Sequence, residues 1–252
     1  MVGLSEDELN RRVDEAVAYV KSHETVTNIL ITGGDAFMNS NGIIRRYLEE
    51  LTAIPRLDFI RFGSRIPVTL PERIYGDQEF LDMFAHYAQK KALYLVTQFN
   101  HPRELTEEAV RSVRAMIERG VQVRNQTVLL RGVNDSGEVL GKLLGRLTRV
   151  GIAPYYIFQC RPVTGVKERF QVPIEEGIRI VDAAKSRQNG FGKSVRYAMS
   201  HPRGKIEIVC RLPNGETVFK FHQSKDDADM ARPFTRVLKP ADTWLDGELN
   251  GI

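Results

Sequence analysis

The chain has 252 residues, of which 42% are hydrophobic and 27% charged, and its formal net charge at pH 7 is +4. This balance is typical of one large domain with a hydrophobic core, and so mild a basic excess suits anionic cofactors better than nucleic acid. Two cysteines, Cys160 and Cys210, exclude a disulfide scaffold and any cluster or zinc site that needs three or four local thiolates.

No run of about 18 apolar residues is present, and the first residues contain no apolar leader. We therefore expect a cytoplasmic protein with no membrane contact.

The predicted elements alternate between amphipathic helices and short apolar strands. Ser5 and Glu8 predict the start of the first helix. Apolar residues at helical spacing predict helices over 9–20, 43–51, 80–87, 109–117, 139–147 and 174–181. Strands are predicted at 28–32, 58–62, 92–96, 121–130 and 153–158, the first of them buried. Five or six βα units in succession predict an α/β fold, either a full or partial (β/α) barrel or a doubly wound sheet. Polar residues follow the strands evenly, which favours the barrel.

The pattern changes after about residue 190. Short strands are predicted at 194–199, 206–209 and 216–221, with a tight turn at 212–215 between the last two. We interpret these strands as a small antiparallel β appendage, and residues 232–252 as a wrapped extension. The predicted domains are residues 1–190 and residues 191–252.

Candidate binding residues follow the first strand. Gly33 and Gly34 would let a ligand approach the backbone, and Asp35 would accept hydrogen bonds from a ligand ammonium group. The alternative is a glycine turn with a helix-capping aspartate.

Further polar candidates end the later strands. These candidates would either bind a ligand or cap loops; they are Ser64, Arg65 and Asn100. Gln126 interrupts an apolar strand, which indicates either a ligand inside the barrel or a satisfied core amide.

Lys205 is predicted to lie in a short loop, His201–Lys205, before an apolar strand. A lysine on a rigid loop near a pocket would form a Schiff base with a carbonyl cofactor such as pyridoxal phosphate, and Arg203 would pair with its phosphate. The alternative is a solvated surface lysine.

In order along the chain, the strand-end motifs resemble those of the lysine 2,3-aminomutase family of radical S-adenosylmethionine (SAM) enzymes. The matching stretches cover roughly residues 5 to 210 and are 31–35, 61–67, 99–102, 125–134 and 154–160. The resemblance implies a partial barrel that uses SAM, a [4Fe-4S] cluster and pyridoxal phosphate. The cluster reduces SAM to a deoxyadenosyl radical, which abstracts a hydrogen from a pyridoxal-bound amino acid, and the amino group migrates to the neighbouring carbon.

The resemblance also implies roles for single residues. Gly33, Gly34 and Asp35 would hold the methionyl end of SAM. The cofactor pocket would be lined by Ser64, Arg65, Asn100 and Gln126, and Lys205 matches the Schiff-base lysine by position.

One departure from the family pattern concerns the cluster. The family's Cys-x3-Cys-x2-Cys motif and the first barrel strand are absent from these residues, and Cys160 and Cys210 do not replace the motif. No residue of this chain is therefore expected to ligate the cluster. The sequence predicts a chain that is inactive as written, through a truncated or mis-started gene product.

A second departure concerns the substrate. Arg161 stands where lysine-specific members carry an aspartate, and the second acidic position aligns near Ala198. A cation would repel the side-chain ammonium of lysine and suits an acidic or neutral amino acid such as glutamate. Alternatively, Arg161 faces solvent or pairs with Glu168. The lysine loop is also less glycine-rich than in lysine-specific members, which leaves open another chemistry.

Three functions follow from these observations. The first is the barrel and pyridoxal part of an aminomutase, with a small amino acid as its substrate. The second is a clusterless module that binds SAM or pyridoxal phosphate without radical chemistry. The third, ranked lowest, is a barrel aldolase or isomerase that uses Lys205. An open strand edge in the partial barrel also predicts a homo-oligomer.

Overall fold

The computed structural model describes residues 5–252. The described helices are α1 Glu6–Ser22, α2 Asn41–Thr52, α3 Ile66–Thr69, α4 Glu72–Tyr75, α5 Gln78–Ala88, α6 Glu107–Glu118, α7 Gly137–Val150, α8 Lys167–Phe170, α9 Ile174–Ser186 and α10 Gly190–Lys193. The described strands are β1 Asn28–Ile31, β2 Phe59–Gly63, β3 Ala92–Thr97, β4 Gln122–Leu129, β5 Ala153–Gln159, β6 Arg196–His201, β7 Gly204–Arg211, β8 Glu216–Ser224 and β9 Pro233–Val237. Short 3₁₀ helices cover Ala36–Met38, Pro102–Glu104 and Asp227–Asp229.

The strands follow one another in chain order through a mixed sheet, β1 to β9. The prediction of an α/β protein, in which parallel βα units precede antiparallel strands, is confirmed. The chain divides into two compact units, whose described parts are residues 5–98, 104–124 and 150–152, and residues 99–103, 125–149 and 153–252. The first four residues of the predicted domain 1–190 lie outside the described residues, and its boundary stays a prediction.

The first unit contains the parallel strands β1, β2 and β3, with Ile29 opposite Ile60 and Ile60 opposite Leu93. Its longer helices, α1, α2, α5 and α6, begin at side-chain caps. This was predicted for α1, where the Ser5 hydroxyl accepts a hydrogen bond from the Glu8 amide at 3.2 Å. These caps matter because they satisfy amide groups that the helix itself leaves without a partner.

The prediction that the first strand is buried is wrong. Leu30 in β1 is 42% exposed, and β1 has no fully buried residue. The reason is its position, because among the described residues only β2 pairs with β1 and the other edge has no strand beside it.

The second unit contains β5 and β6, which pair in parallel, with Tyr156 opposite Arg196. The prediction that residues 194–199 belong to the antiparallel appendage is therefore wrong. Between these strands the chain forms α8, α9 and α10, and a long helical connection returns the chain in the direction of the preceding strand. The antiparallel part begins only with β7.

Strand β7 starts one residue before Lys205, which corrects the prediction that Lys205 lies in a loop. His201 pairs with Gly204, so that only Pro202 and Arg203 form the turn between β6 and β7. The predicted turn at 212–215 is confirmed: the Gly215 amide donates to the Leu212 carbonyl at 3.0 Å, and Gly215 has a φ of 90°. The predicted extension contains a strand, β9, which pairs antiparallel with β8.

The last residues, 238–252, form a segment that we call the C-terminal tail. It packs within the second unit through buried apolar side chains, namely Leu238, Trp244, Leu245 and Leu249. No helix in the described part of the chain combines the length and apolar character needed to cross a bilayer.

Candidate functional site

In the first unit, Asp35 ties together the ends of β1 and β2. Its Oδ1 accepts hydrogen bonds from the Phe37 amide at 3.0 Å and the Ser64 hydroxyl at 2.6 Å, while its Oδ2 accepts one from the Arg65 amide at 2.6 Å. The structure thus brings three predicted residues together. Asp35 also caps the 3₁₀ helix that follows it, which was the alternative to ligand binding that the sequence left open.

The two glycines before Asp35 leave backbone open to a ligand. Gly33 has a φ of 104° and Gly34 a φ of 67°, both in the left-handed region. No atom lies within 4 Å of the point where a Cβ at Gly33 would stand. Peptide groups in this conformation form a concave surface that suits an anion such as a carboxylate.

Sequence reasoning missed the partner of Arg65. The Arg65 guanidinium pairs with Glu104 at 2.9 Å, and both groups are partly exposed. Such a pair adds only about 0–1 kcal/mol to stability, but it fixes the direction of the guanidinium. The available signal was only the acidic residue that follows the Phe99–Pro102 motif.

In the second unit, Asn100 connects a strand end to β4. It is 5% exposed, its Oδ1 accepts a hydrogen bond from the Val128 amide at 2.9 Å, and its carbonyl accepts one from Asn134 at 2.8 Å. The neighbouring Asn125 bonds to both the amide and the carbonyl of Phe99, at 2.7 Å and 3.0 Å. These amides hold the strand end. Asn125 and Asn134 bound one of the matching stretches, but the sequence assigned neither of them a role.

Gln126 differs from these satisfied amides. It is half-buried, and within residues 5–252 no hydrogen bond to its side chain is present. Its amide is therefore available to a ligand. No described contact joins Gln126 to Lys205.

Arg161, just after β5, contacts the β6–β7 hairpin that carries Lys205. The Arg161 Nε donates a hydrogen bond to the Ser200 carbonyl at 3.3 Å, and Ser200 stands opposite Lys205 in the hairpin. Arg161 is exposed, and among the described residues it forms no ion pair with Glu168, which was one alternative. A guanidinium group of this kind suits a carboxylate.

The Lys205 ammonium group lies on aromatic side chains of β5. Its Nζ is 4.2 Å from the ring centre of Tyr156 and 5.6 Å from that of Phe158. Sequence reasoning named neither ring. The available signal was the alternation along β5, which directs residues 156 and 158 to one face of the sheet.

His201, at the start of the same turn, fastens the C-terminal tail. Its Nδ1 accepts a hydrogen bond from the Arg203 amide at 3.2 Å, and its Nε2 lies 3.2 Å and 3.0 Å from the carbonyls of Leu245 and Asp246. This pattern requires a neutral ring with its proton on Nε2. Burial, opposed by the two carbonyl contacts, lowers the pKa of His201 below its usual value.

We expect the stability of this unit to fall between pH 7.5 and pH 5.5. Because the pKa of His201 is lowered by folding, the unfolded chain binds the proton more readily, and the stabilising effect is lost as pH falls below the unfolded value. The loss is measured as the decrease in urea unfolding free energy across this pH range. A His201→Gln variant should show a flatter profile.

His222 contributes in the same direction, because burial also lowers its pKa. A His222→Gln variant therefore measures the part of the pH dependence of the unfolding free energy that does not come from His201. An exposed histidine, His86, provides the control, and a His86→Gln variant should keep the slope of the parent chain. An unchanged slope in His201→Gln would contradict the assignment.

Comparisons with known proteins agree with the motifs. No family model matches the chain. It is 37% identical over 242 residues to the Aquifex aeolicus protein named "Putative L-lysine 2,3-aminomutase", covering 95% of this chain and 64% of that protein. It is 37% identical to the L-lysine 2,3-aminomutase of Clostridium subterminale, covering 75% and 44% of the two chains. It is 33% identical to the glutamate 2,3-aminomutase of Clostridioides difficile, covering 76% and 44%.

The chain thus spans between two fifths and two thirds of the length of these relatives. Among solved structures, a radical SAM methyltransferase from Sphaerobacter thermophilus superposes with a TM-score of 0.48 at 19% identity, covering 76% of this chain and 57% of that one.

Proposed function

This chain is homologous to the lysine 2,3-aminomutase family, and from that we propose that it forms the SAM- and pyridoxal-phosphate-binding part of an amino acid 2,3-aminomutase with a substrate other than lysine. One observation carries the proposal: Arg161, just after β5, bonds to Ser200, which stands opposite Lys205 in the β6–β7 hairpin. An amine that captures a carbonyl cofactor and a guanidinium that binds a carboxylate therefore belong to one site.

The residues of the second unit fit pyridoxal phosphate. Lys205 is half-buried and supplies the amine, and the hydroxyl of Tyr156 beside it is buried without a hydrogen-bond partner among the described residues. An orphaned hydroxyl of this kind is commonly satisfied by a bound group. When bound, pyridoxal phosphate would hold the substrate nitrogen and supply the conjugated ring that lets the amino group migrate.

The residues of the first unit fit SAM. The left-handed Gly33 and Gly34 leave the backbone accessible, so that their amides would bind the methionyl carboxylate. Asp35 would orient Ser64 and Arg65 rather than only contact the ligand, because three of its hydrogen bonds are already directed to the strand ends.

The described residues do not fit an iron–sulfur cluster. Within residues 5–252 no group of three His, Cys, Asp or Glu side chains is arranged to hold a metal ion. Cys160 is buried, which raises the pKa of its thiol, and a cluster requires thiolates. We therefore assign no radical-forming step to these residues and propose that the 252 residues alone are inactive as an aminomutase.

In the proposed site, Arg161 would bind a carboxylate on the substrate side chain through its Nη groups, while Lys205 would hold the cofactor. A cation at position 161 favours glutamate or a neutral amino acid over lysine, because a lysine ammonium would meet a like charge. The glutamate 2,3-aminomutase relative supports this choice of substrate class. We also propose that the protein is located in the cytoplasm.

The experiment is capture of pyridoxal phosphate at Lys205. After borohydride reduction, peptide mass spectrometry should find pyridoxyl-lysine at residue 205, and a Lys205→Ala variant should lose at least nine tenths of the label. Lys220→Ala, at an exposed position of β8, is the matched control and should retain it. The concentration of glutamate that half-saturates the change in cofactor absorbance should be at least tenfold lower than that of lysine. Arg161→Asp should remove this preference. Arg169→Asp, at an exposed position of α8, is the control and should keep it.

The second candidate function is a module that binds SAM or pyridoxal phosphate without radical chemistry. The lack of a cluster-binding set among the described residues favours it. Capture of cofactor at Lys205 without preference between glutamate and lysine would support this module, whereas label at other lysines alone would refute both candidates.

The free edge of β1 supports the further proposal that the protein self-associates. Beside this edge lies a cavity of about 320 Å³, lined by apolar side chains of α1, α2 and β1. An unpaired edge next to an apolar groove is a common site of strand pairing between chains.

A further inference from the structure

Tyr156, in the middle of β5, has a ring whose role the proposed function does not assign, although its hydroxyl stands beside Lys205. It is 1% exposed, and its hydroxyl has no hydrogen-bond partner among the described residues. Burial, followed by the adjacent phenol of Tyr155, raises its pKa well above the usual value, so that the hydroxyl remains protonated. Its ring stacks against Phe158 with the centres 5.1 Å apart and meets His222 edge-on at 5.8 Å.

The face of this ring holds a cation. The Lys205 Nζ stands 4.2 Å from the ring centre, a distance at which the quadrupole of an aromatic ring attracts an ammonium group. A lysine side chain has four rotatable bonds, and fixing them costs conformational entropy. The attraction to the ring offsets part of this cost and keeps Nζ in one place.

Charged groups also surround this ring. Arg196 stands opposite Tyr156 on β6 and is paired with Glu207 at 3.6 Å. Burial lowers the pKa of His222, and repulsion by Arg196 and Lys205 lowers it further. The ring face of Tyr156 is an attractive surface beside Nζ within this charged environment.

We propose that Tyr156 is a positioning residue for Lys205, whose ring face fixes Nζ where the carbonyl carbon of the cofactor must arrive. This inference rests on the proposed function in assigning a carbonyl cofactor to Lys205. In the step that it would prepare, the lone pair of Nζ would form the bond to the carbonyl carbon, and two protons from the nitrogen would leave with the carbonyl oxygen as water.

The test replaces residue 156 with rings of altered electrostatics but similar shape. Tyr156→Phe keeps the ring face and removes only the hydroxyl. Pentafluorophenylalanine, introduced at the same position by nonsense suppression, keeps the shape of phenylalanine but reverses the charge distribution of the ring face. Because both rings fill the same space, loss of folding is not the expected result of either change.

Two readouts are compared between these variants. The first is the rate of reductive methylation of Lys205 by formaldehyde, measured by mass spectrometry relative to Lys220 in the same sample. The second is the concentration of pyridoxal phosphate that half-saturates borohydride-trapped label at Lys205. The pentafluoro variant should methylate Lys205 about fivefold faster, because its ammonium form is less stabilised, and should need about fivefold more cofactor.

The Phe variant should methylate Lys205 within about twofold of the parent rate. For the cofactor readout it is the reference for the pentafluoro variant, because its half-saturation also reflects the loss of the hydroxyl. If the ring had only a structural role, its replacement would change the methylation rates of Lys205 and Lys220 together, or change neither rate. Equal methylation of Lys205 in the pentafluoro and Phe variants would overturn the inference, even where cofactor label at Lys205 upholds the proposed function. Label absent from Lys205 in the parent chain would instead refute the proposed function, and the methylation rates would still decide the role of Tyr156.

Discussion

Replacing Phe37 with alanine should lower the free energy of unfolding by about 3–5 kcal/mol, measured by urea denaturation of the whole chain. Phe37 has no exposed surface, and its ring centre lies 5.0 Å from that of Phe80, 5.4 Å from that of Phe84 and 5.7 Å from that of Phe62. Removing the ring empties the middle of this aromatic cluster, and the surrounding rings are too rigid to fill the space.

The neighbouring Met38 provides the matched control. It occupies the same 3₁₀ turn but is 63% exposed, so that Met38→Ala should change stability by less than about 0.5 kcal/mol. A Phe37→Leu variant should fall between the two, since it retains most of the apolar volume. A loss below about 1 kcal/mol in Phe37→Ala would show that the cluster does not pack as described.

The effect should extend to the glycine turn. Phe37 is two residues after Asp35, and its amide is one of the three groups that donate to the Asp35 carboxylate. The buried ring therefore anchors the segment on which Gly33 and Gly34 expose their backbone. We infer that the binding turn is rigid because of the core beneath it rather than because of the glycines themselves.

The order and type of the main elements could be predicted from the sequence because local signals agree with the fold. The Ser5 cap, the helical spacing in α2 and the Gly215 turn are each determined by residues close in sequence, and each is confirmed. The direction of β6 could not be predicted from such signals. Strand direction depends on the length and path of the connection, and the short helices α8 and α10 lack a strong periodic pattern.

The same difference between local and long-range signals applies to the site residues. Gly33, Asp35 and Ser64 carry recognisable motifs, and the structure joins Asp35 to Ser64. The sequence assigned no role to Asn125 or Tyr156, because their roles depend on pairing across the sheet with residues 26 and 49 positions away along the chain. A single sequence contains no local trace of such contacts.

Replacing Gln159 with leucine should destabilise the second unit by about 3–5 kcal/mol and loosen the C-terminal tail. Gln159 is 1% exposed, its Nε2 donates to the carbonyls of Val172 at 2.6 Å and Thr243 at 2.7 Å, and its Oε1 accepts from the Tyr197 hydroxyl. Leucine fills a similar volume but leaves two carbonyls and one hydroxyl buried without partners, at about 1–3 kcal/mol each.

The measurement combines urea unfolding with hydrogen exchange of the Trp244 and Ile252 amides, which bond to each other's carbonyls within the tail. Both amides should exchange at least tenfold faster in Gln159→Leu. Gln223→Leu, at an exposed position of β8, is the control and should leave exchange unchanged. Unaltered tail exchange in Gln159→Leu would show that other anchors, among them Gln171 and His201, suffice to hold the tail.

Gln159→Leu also tests whether the end of β5, besides anchoring the C-terminal tail, orients Arg161. Gln159 is followed by Cys160 and then by Arg161, the proposed carboxylate-binding residue, so that the buried amide and the exposed guanidinium share one stretch of backbone. If the Gln159 network orients that backbone, Gln159→Leu should weaken the preference for glutamate over lysine while cofactor capture at Lys205 persists, because β7 is paired independently with β6 and β8. Loss of both properties together would instead mean that the C-terminal tail and the β6–β7 hairpin unfold as one cooperative unit.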